Sequence, residues 1–327
     1  MNTRLKTGVT AALFAAFTWS LNFISPFLIG NYSLGDLATV RFFFSGLIGV
    51  VILVLHRDLY RRLTLSDWLV TAGLGFIGYV GYFITIMIAA VYAGPIIPPA
   101  FLGLVPVILA IAGNVYSSSI SWATLRIPFG LAVIGLILVN TSSLFQLNGE
   151  WSLSRLIGTG SAIGAVALWT WFGIANQRAL SKRPGTNAWV WTAMMMIGGS
   201  IETLFFLPIG YKLKLFNAPT LGFGAIAIAH LYLPAFALAV IASIGGAWAW
   251  TVASQRLPMT LAGQLLTMEM VFATCFGLLI RRQWPHPLEL LGIVLLLVGI
   301  IKAIGAFYDQ SKSLSQDTER ESRCTAG

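Results

Sequence analysis

Residues 68–125 read WLVTAGLGFIGYVGYFITIMIAAVYAGPIIPPAFLGLVPVILAIAGNVYSSSISWATL, 58 residues between Asp67 and Arg126 without one Asp, Glu, Lys or Arg. A helix crosses about 30 Å of hydrocarbon in roughly 20 apolar residues, so the run is too long for a single span. Prolines 95, 98 and 99 divide it near its middle. A second uncharged run of 41 residues separates Lys214 from Arg256. The whole chain agrees: its 327 residues are 57% hydrophobic and 9% charged, where a soluble domain carries about a quarter charged. Disorder and a soluble nucleic-acid-binding domain are excluded, and a polytopic, all-α integral membrane protein is left.

Charges, prolines and polar clusters place ten transmembrane helices at about 8–29, 36–55, 67–90, 95–115, 124–142, 156–178, 188–209, 230–254, 258–280 and 288–307. The least defined start is the eighth, because apolar residues begin well before His230. Arg4 and Lys6 precede an apolar run that continues to about Gly30, longer than a signal-peptide core, and it reads as an uncleaved first helix. With ten spans both termini share a side. Of the 20 Lys and Arg, 14 fall on the N-terminal side, 5 on the other and one, Arg41, within the second span. The split puts both termini in the cytoplasm of a multi-pass cell inner membrane protein, and it accounts for the net charge of +9 without a nucleic-acid partner. The polar segment 308–327 is expected to be a disordered cytoplasmic tail. Cys275 and Cys324 are read as free thiols on different levels.

Self-similarity divides the chain. Gly8 and Trp19 are matched by Gly158 and Trp169, shifted by 150; Trp122 and Gly130 are matched by Trp284 and Gly292, shifted by 162. Residues 1–145 (helices one to five) and 146–307 (helices six to ten) then form two repeats. Because five is odd, the second enters the membrane from the opposite side, giving two inverted five-helix repeats, the arrangement of transporters that alternate access around a midplane site.

These residues carry a resemblance. The Gly and Trp pattern of helices one and six, Arg41-Phe42 early in helix two, Leu104-Val105-Pro106-Val107 in helix four and Glu269-Met270-Val271-Phe272 in helix nine together resemble the drug/metabolite transporter superfamily, EamA-type branch, over residues 8–307. Met270 stands where that family usually has proline, and the family's Gly-Glu pair before helices five and ten is missing. The resemblance implies a permease, not an enzyme.

An ionisable side chain within hydrocarbon costs about 2.5–3.5 kcal/mol on insertion scales, so each one needs a reason. Three lie well within spans: Arg41, Glu202 and Glu269. Glu269, near the middle of helix nine, is the strongest candidate for a proton carrier or for a partner to a substrate cation; a structural, hydrogen-bonded glutamate is the alternative. Thr260, Gln264, Thr267 and Thr274 form a stripe on the same helix, and Glu269 lies about 180° from Thr260 at about 100° per residue. In a straight helix only one of these faces lines a cavity, with the lean toward the stripe. Arg41 is shallow enough to snorkel or to pair with Asp36 or Glu202. Binding a substrate carboxylate is its other reading, and an Arg41–Glu202 pair would make an outer gate.

In helix one, Trp19 and Asn22 share a face with Thr18 and Ser25 and are candidates for site lining. Tyr82, Trp169 and Trp250 are deep enough for an aromatic box, with core packing as the rival reading, while Trp189 and Trp191 read as interfacial belt residues. Pro95, Pro98, Pro99 and Pro106 mark helix four as bent and cavity-lining. Gly160 and Gly164, with Gly73, Gly75, Gly78 and Gly81, read as close helix contacts. His56, His230 and His286 are dispersed, so no metal or other cofactor is implied, and no phosphate loop or catalytic constellation is present.

The residues thus point to a secondary transporter that rocks around a cavity formed by helices one, three, four, six, eight and nine. It would export a small metabolite such as an amino acid or related amphipathic compound, with protons as the candidate coupling ion. A multidrug exporter of lipophilic cations is the alternative; a membrane enzyme or sensory subunit would need features the chain lacks.

Overall fold

The computed structural model describes residues 3–61, 63–94, 97–117, 120–140, 152–282 and 284–325, with Tyr60, Arg281 and 311–325 described by their backbone alone. Pro95 and the boundary expected at 145/146 lie outside the described residues. Ten helices are long and apolar enough to cross a bilayer: α1 Thr3–Phe27, α2 Leu34–Leu55, α3 Leu65–Ala93, α4 Ile97–Ser117, α5 Trp122–Val139, α6 Leu153–Ser181, α7 Ala188–Lys212, α8 Ala225–Arg256, α9 Met259–Ile280 and α10 Pro287–Gln310. The count agrees with the sequence reading. The eighth helix begins at Ala225, earlier than expected, and the backbone of α10 stays helical to Thr325. That extension covers much of the segment expected to be disordered; residues 308–325 contain no Pro or Gly, the residues that most oppose helix formation.

The outer surface is apolar in the manner of a lipid-facing bundle: Leu55, Phe205, Ile226 and Leu279 are among the most exposed side chains. Lipid is as apolar as these residues, so association of the helices rests on close packing and hydrogen bonds rather than on escape from water. Small residues supply the closeness. α4 and α9 cross where a Cβ on Gly113 would stand 2.8 Å from the Thr260 nitrogen and one on Gly263 2.7 Å from the Ala110 nitrogen. α5 and α10 meet at Gly135 and Gly292, each against the other's carbonyl. The matched glycines of the sequence behave alike, Gly8 of α1 lying against Leu257 at the end of α8 and Gly158 of α6 against Ala93 at the end of α3. Gly160 has open space instead of the close contact expected of it, and Gly164 only Thr85 at 3.9 Å.

The main pairs are α1 with α8, α6 with α3, α2 with α7, α4 with α9 and α5 with α10. This set is unchanged when helices one to five are exchanged with six to ten.

Several spans depart from α-geometry along part of their length. α1 tightens to a 3-10 helix over Leu21–Phe27, which contains Pro26. α3 has a π-turn at Phe76–Val80, and α8 has one at Ile228–Tyr232 and another at Ala239–Gly246. α4 is interrupted between Leu102 and Val105. Pro106 explains this, since it has no N–H to give and its ring collides with the carbonyl four residues earlier. α9 breaks at Thr267, between Met259–Leu266 and Met268–Arg281. There the Thr267 hydroxyl donates to the Gln264 carbonyl (2.7 Å), although Met270 occupies the place of the family's proline.

Two helix starts carry capping boxes. Ser33 and Asp36 satisfy each other's backbone N–H at the head of α2, and Thr64 and Asp67 do so at the head of α3. Each carboxylate also reaches the other half of the chain. Asp36 accepts from the backbone N–H of Asn217 and Ala218, and Asp67 accepts from Arg183 Nε at 2.7 Å.

Candidate functional site

A cavity of about 660 Å³, part of it open to the outside, lies where the irregular segments meet. α1 contributes Trp19 and Asn22, α2 Arg41 and Phe42, α3 Tyr79, Tyr82 and Phe83, α4 Val105 and Pro106, α6 Trp169, and α9 Leu266, Glu269 and Met270. The sequence reading expected α8 in this wall. α2 stands there instead, and α8 acts from behind through Ser243.

Arg41 faces inward because α2 buries one stripe, Leu37, Ala38, Arg41, Phe42, Ser45, Gly46 and Gly49, against α7, α8 and the cavity. Its guanidinium does not snorkel: the residue is 4% exposed. Nε donates to Ser243 Oγ at 2.7 Å, Nη1 donates to Asn22 Oδ1, and the rings of Phe42 and Phe83 stand about 6 Å from the guanidinium carbon. The fork is thereby held along one edge, while Nη2 has no protein partner among the described residues. Asp36 and Glu202, the partners expected for Arg41, are elsewhere. Asp36 is occupied by Ser33 and the 217–218 backbone. Glu202 lies on α7 outside the cavity with Oε2 buried and unbonded, so the outer gate proposed for that pair does not form.

The two faces of α9 are sorted as well. Gln264 and Thr267 are buried at 1% and 0% exposure. Gln264 donates to the Pro128 carbonyl of α5, and Thr267 bonds its own helix. Glu269 is the residue of α9 that brings charge to the cavity. The lean toward the Thr/Gln stripe is therefore corrected: an amide and a hydroxyl next to neighbouring helices find backbone acceptors there. Glu269 makes no ion pair with Arg41, although both line the same space.

The aromatic wall is partly as expected. Trp19 and Trp169 meet edge to face at 5.2 Å, and Tyr82 joins Trp169 at 6.4 Å. Trp250 packs behind both indoles, 5.7 and 5.6 Å away, and is 1% exposed, so it supports the wall without lining it. Trp19 is fixed by donating Nε1 to the Ala242 carbonyl, within the π-turn of α8. Of the two tryptophans read as belt residues, Trp189 is partly exposed and stacks on Trp248, whereas Trp191 is buried and donates to Asn176. Of the prolines, Pro106 lines the cavity, and Pro98 and Pro99 fall in the first turn of α4, where a missing N–H is harmless. Ser243 was not legible in the sequence: it is a lone hydroxyl in an apolar run, and the π-turn around it defeats the helical phase that would have pointed it at Arg41.

No group of three or more metal-ligating side chains exists among the described residues. The cavity brings one guanidinium and one carboxyl, with no ion pair between them, into an aromatic chamber.

A crystal structure superposes on the chain with a TM-score of 0.73 at 15% identity, covering 94% of this chain and 98% of that one, a likeness of fold alone. The inner membrane protein YtfF of Escherichia coli (strain K12) is 29% identical over 307 residues, 92% of this chain and 95% of that protein. Residues 156–304 match the EamA-like transporter family. The resemblance read from the sequence is thereby borne out over residues 156–304, which include Glu269, within a ten-helix membrane fold.

Proposed function

We propose that this protein is a secondary transporter of the cell inner membrane that exports a small metabolite, such as an amino acid or related amphipathic compound, by alternating access. The observation that carries the reading is that Arg41 and Glu269 face one aromatic cavity without pairing with each other. A solute with an anionic group for the free edge of Arg41, a cationic group or proton for Glu269 and apolar surface for Trp19, Trp169 and Tyr82 would complete the site. Residues 1–145 and 146–307 are read as inverted repeats that rock about it, supported by the exchange-invariant helix pairing. Both termini are placed in the cytoplasm by the distribution of Lys and Arg. Protons entering through Glu269 are the proposed driving ion, with Glu202 as a second carboxyl outside the cavity.

The aromatic wall and Glu269 would also suit a lipophilic cation, but a buried, partly unsatisfied guanidinium repels one. The test is untargeted metabolite profiling of the medium with and without expression, repeated with Arg41→Gln. Accumulation of a zwitterionic or anionic metabolite that disappears in the variant supports export. A wild-type medium indistinguishable from the control, together with raised resistance to quaternary dyes, overturns it in favour of the multidrug reading.

A further inference from the structure

A second, wider cavity of about 2230 Å³ opens at the bundle end that holds the N-terminus, between the ends of α1, α4, α6, α8 and α10. Along α6 it begins at Gln177, eight residues or about 12 Å beyond Trp169 of the central cavity. The two spaces share no lining residue. Arg4, Arg178, Arg183 and Arg256 line the wider one, and among the described residues no Asp or Glu does.

The charge at this mouth is not merely abundant. Arg183 is already taken by Asp67, and Arg4 donates to the Gln255 carbonyl. The guanidinium carbon of Arg178 sits over the Tyr116 ring, 3.7 Å from its centroid, and no side-chain N–H of Arg178 is bonded among the described residues. Stacking fixes the plane of a guanidinium and leaves its edge free, the geometry that suits a two-oxygen anion. Arg256 spends a single N–H on the Val252 carbonyl of its own helix. Two residues before Arg256 on α8, Ser254 is 4% exposed, and its hydroxyl is buried at the cavity wall without a partner. A buried hydroxyl left unbonded destabilises the fold unless something binds to it. The orientation bias of basic residues explains why arginines gather at this end, but not why one is braced on a ring or why a buried hydroxyl is left unfilled.

We propose that this vestibule is an oxyanion-binding site, distinct from the central cavity, in which Arg178 and Arg256 hold a phosphate or carboxylate group and Ser254 donates its hydroxyl to it. This assignment does not depend on which solute the central cavity carries. The group belongs either to a free anion or to the headgroup of an acidic lipid reaching in between the helix ends.

The test is the thermal stability of the full-length protein in neutral detergent, titrated with sodium phosphate against sodium chloride at matched ionic strength. The expected result is a saturable rise in Tm specific to phosphate. It should be lost in Arg178→Gln/Arg256→Gln, weakened about tenfold in Ser254→Ala and kept in Arg41→Gln, which separates it from the central cavity. If the double variant is unstable without anion, Arg178→Gln alone serves, with a partial loss expected. The same titration in nanodiscs of phosphatidylcholine and of phosphatidylglycerol separates the sources. A phosphate effect present in the first and pre-empted in the second identifies the lipid headgroup; an effect equal in both identifies the free anion. No phosphate-specific shift in either medium, or a shift undiminished by the arginine substitutions, overturns the proposal.

Discussion

Trp19 and Trp169, matching residues 150 positions apart in the sequence, meet edge to face with their ring centroids 5.2 Å apart. Two equivalent side chains touch each other only near the axis that relates their halves. On the proposed inverted-repeat reading, this contact marks where that axis runs, with the central cavity beside it.

Arg41→Lys should fail to replace Arg41. The guanidinium uses Nε and Nη1 on Ser243 and Asn22 and keeps Nη2 for the cavity, whereas an ammonium is a single point. Export by Arg41→Lys and Arg41→Gln should each fall at least about tenfold, equivalent to about 1.4 kcal/mol. Ser243→Ala should lose less, because it loosens the fork without removing it. Rates measured in cells with matched expression distinguish these, and full activity of Arg41→Lys would show that the fork geometry is unused.

Glu269→Gln should uncouple transport from the proton gradient while leaving solute exchange. The amide is nearly isosteric, so the cavity keeps its shape while losing the proton-carrying group. In proteoliposomes, gradient-driven accumulation should vanish and counterflow of labelled solute persist. Accumulation that persists in the variant would remove Glu269 from the coupling role.

Glycine substitutions should divide by position. A Cβ at Gly263 would press on the Ala110 backbone and one at Gly292 on the Gly135 carbonyl, so alanine at either should cost about 1–3 kcal/mol. Gly160→Ala meets open space and gains about 1 kcal/mol of helix propensity. Folded fraction after heating in detergent reads this out.

The two carboxylates that reach between the halves should differ in weight. Asp36 is 4% exposed and accepts from Ser33, Asn217 and Ala218; its loss in Asp36→Ala should cost about 3 kcal/mol. Arg183→Gln breaks an ion pair whose side chains are 23% and 19% exposed and should cost less than about 1 kcal/mol. Paired thermal scans decide, and equal losses would refute the ranking.

The spans and their number were legible because hydrocarbon thickness imposes a length that composition records. The tryptophan pair and the lining roles of Asn22, Tyr82 and Glu269 were legible too, since polar and aromatic residues at mid-depth are few. What escaped was orientation around each helix. Helical phase assumes a constant 3.6 residues per turn, and the breaks at Leu102–Val105 and Thr267 and the π-turns in α3 and α8 violate that near the cavity. Hence Gln264 and Thr267 were read toward it, Ser243 was overlooked, and Arg41 was given acidic partners where it has neutral ones. Trp191 was misjudged for a different reason: nearness to a span end is a statement about depth, and its burial depends on Asn176 of a neighbouring helix.

The π-turn at Ala239–Gly246 is, in arithmetic terms, surplus chain: a π-turn holds more residues than the α-turn it replaces. Deleting a single residue there would restore regular winding and change the direction in which the side chains and carbonyls of the turn point. Ser243 would leave Arg41, Ala242 would leave the Trp19 indole, and the aromatic chamber would lose both struts at once. Length at this point of the chain is therefore under tighter constraint than residue type, and an alignment gap placed here would signal a differently built chamber even where every lining side chain is retained.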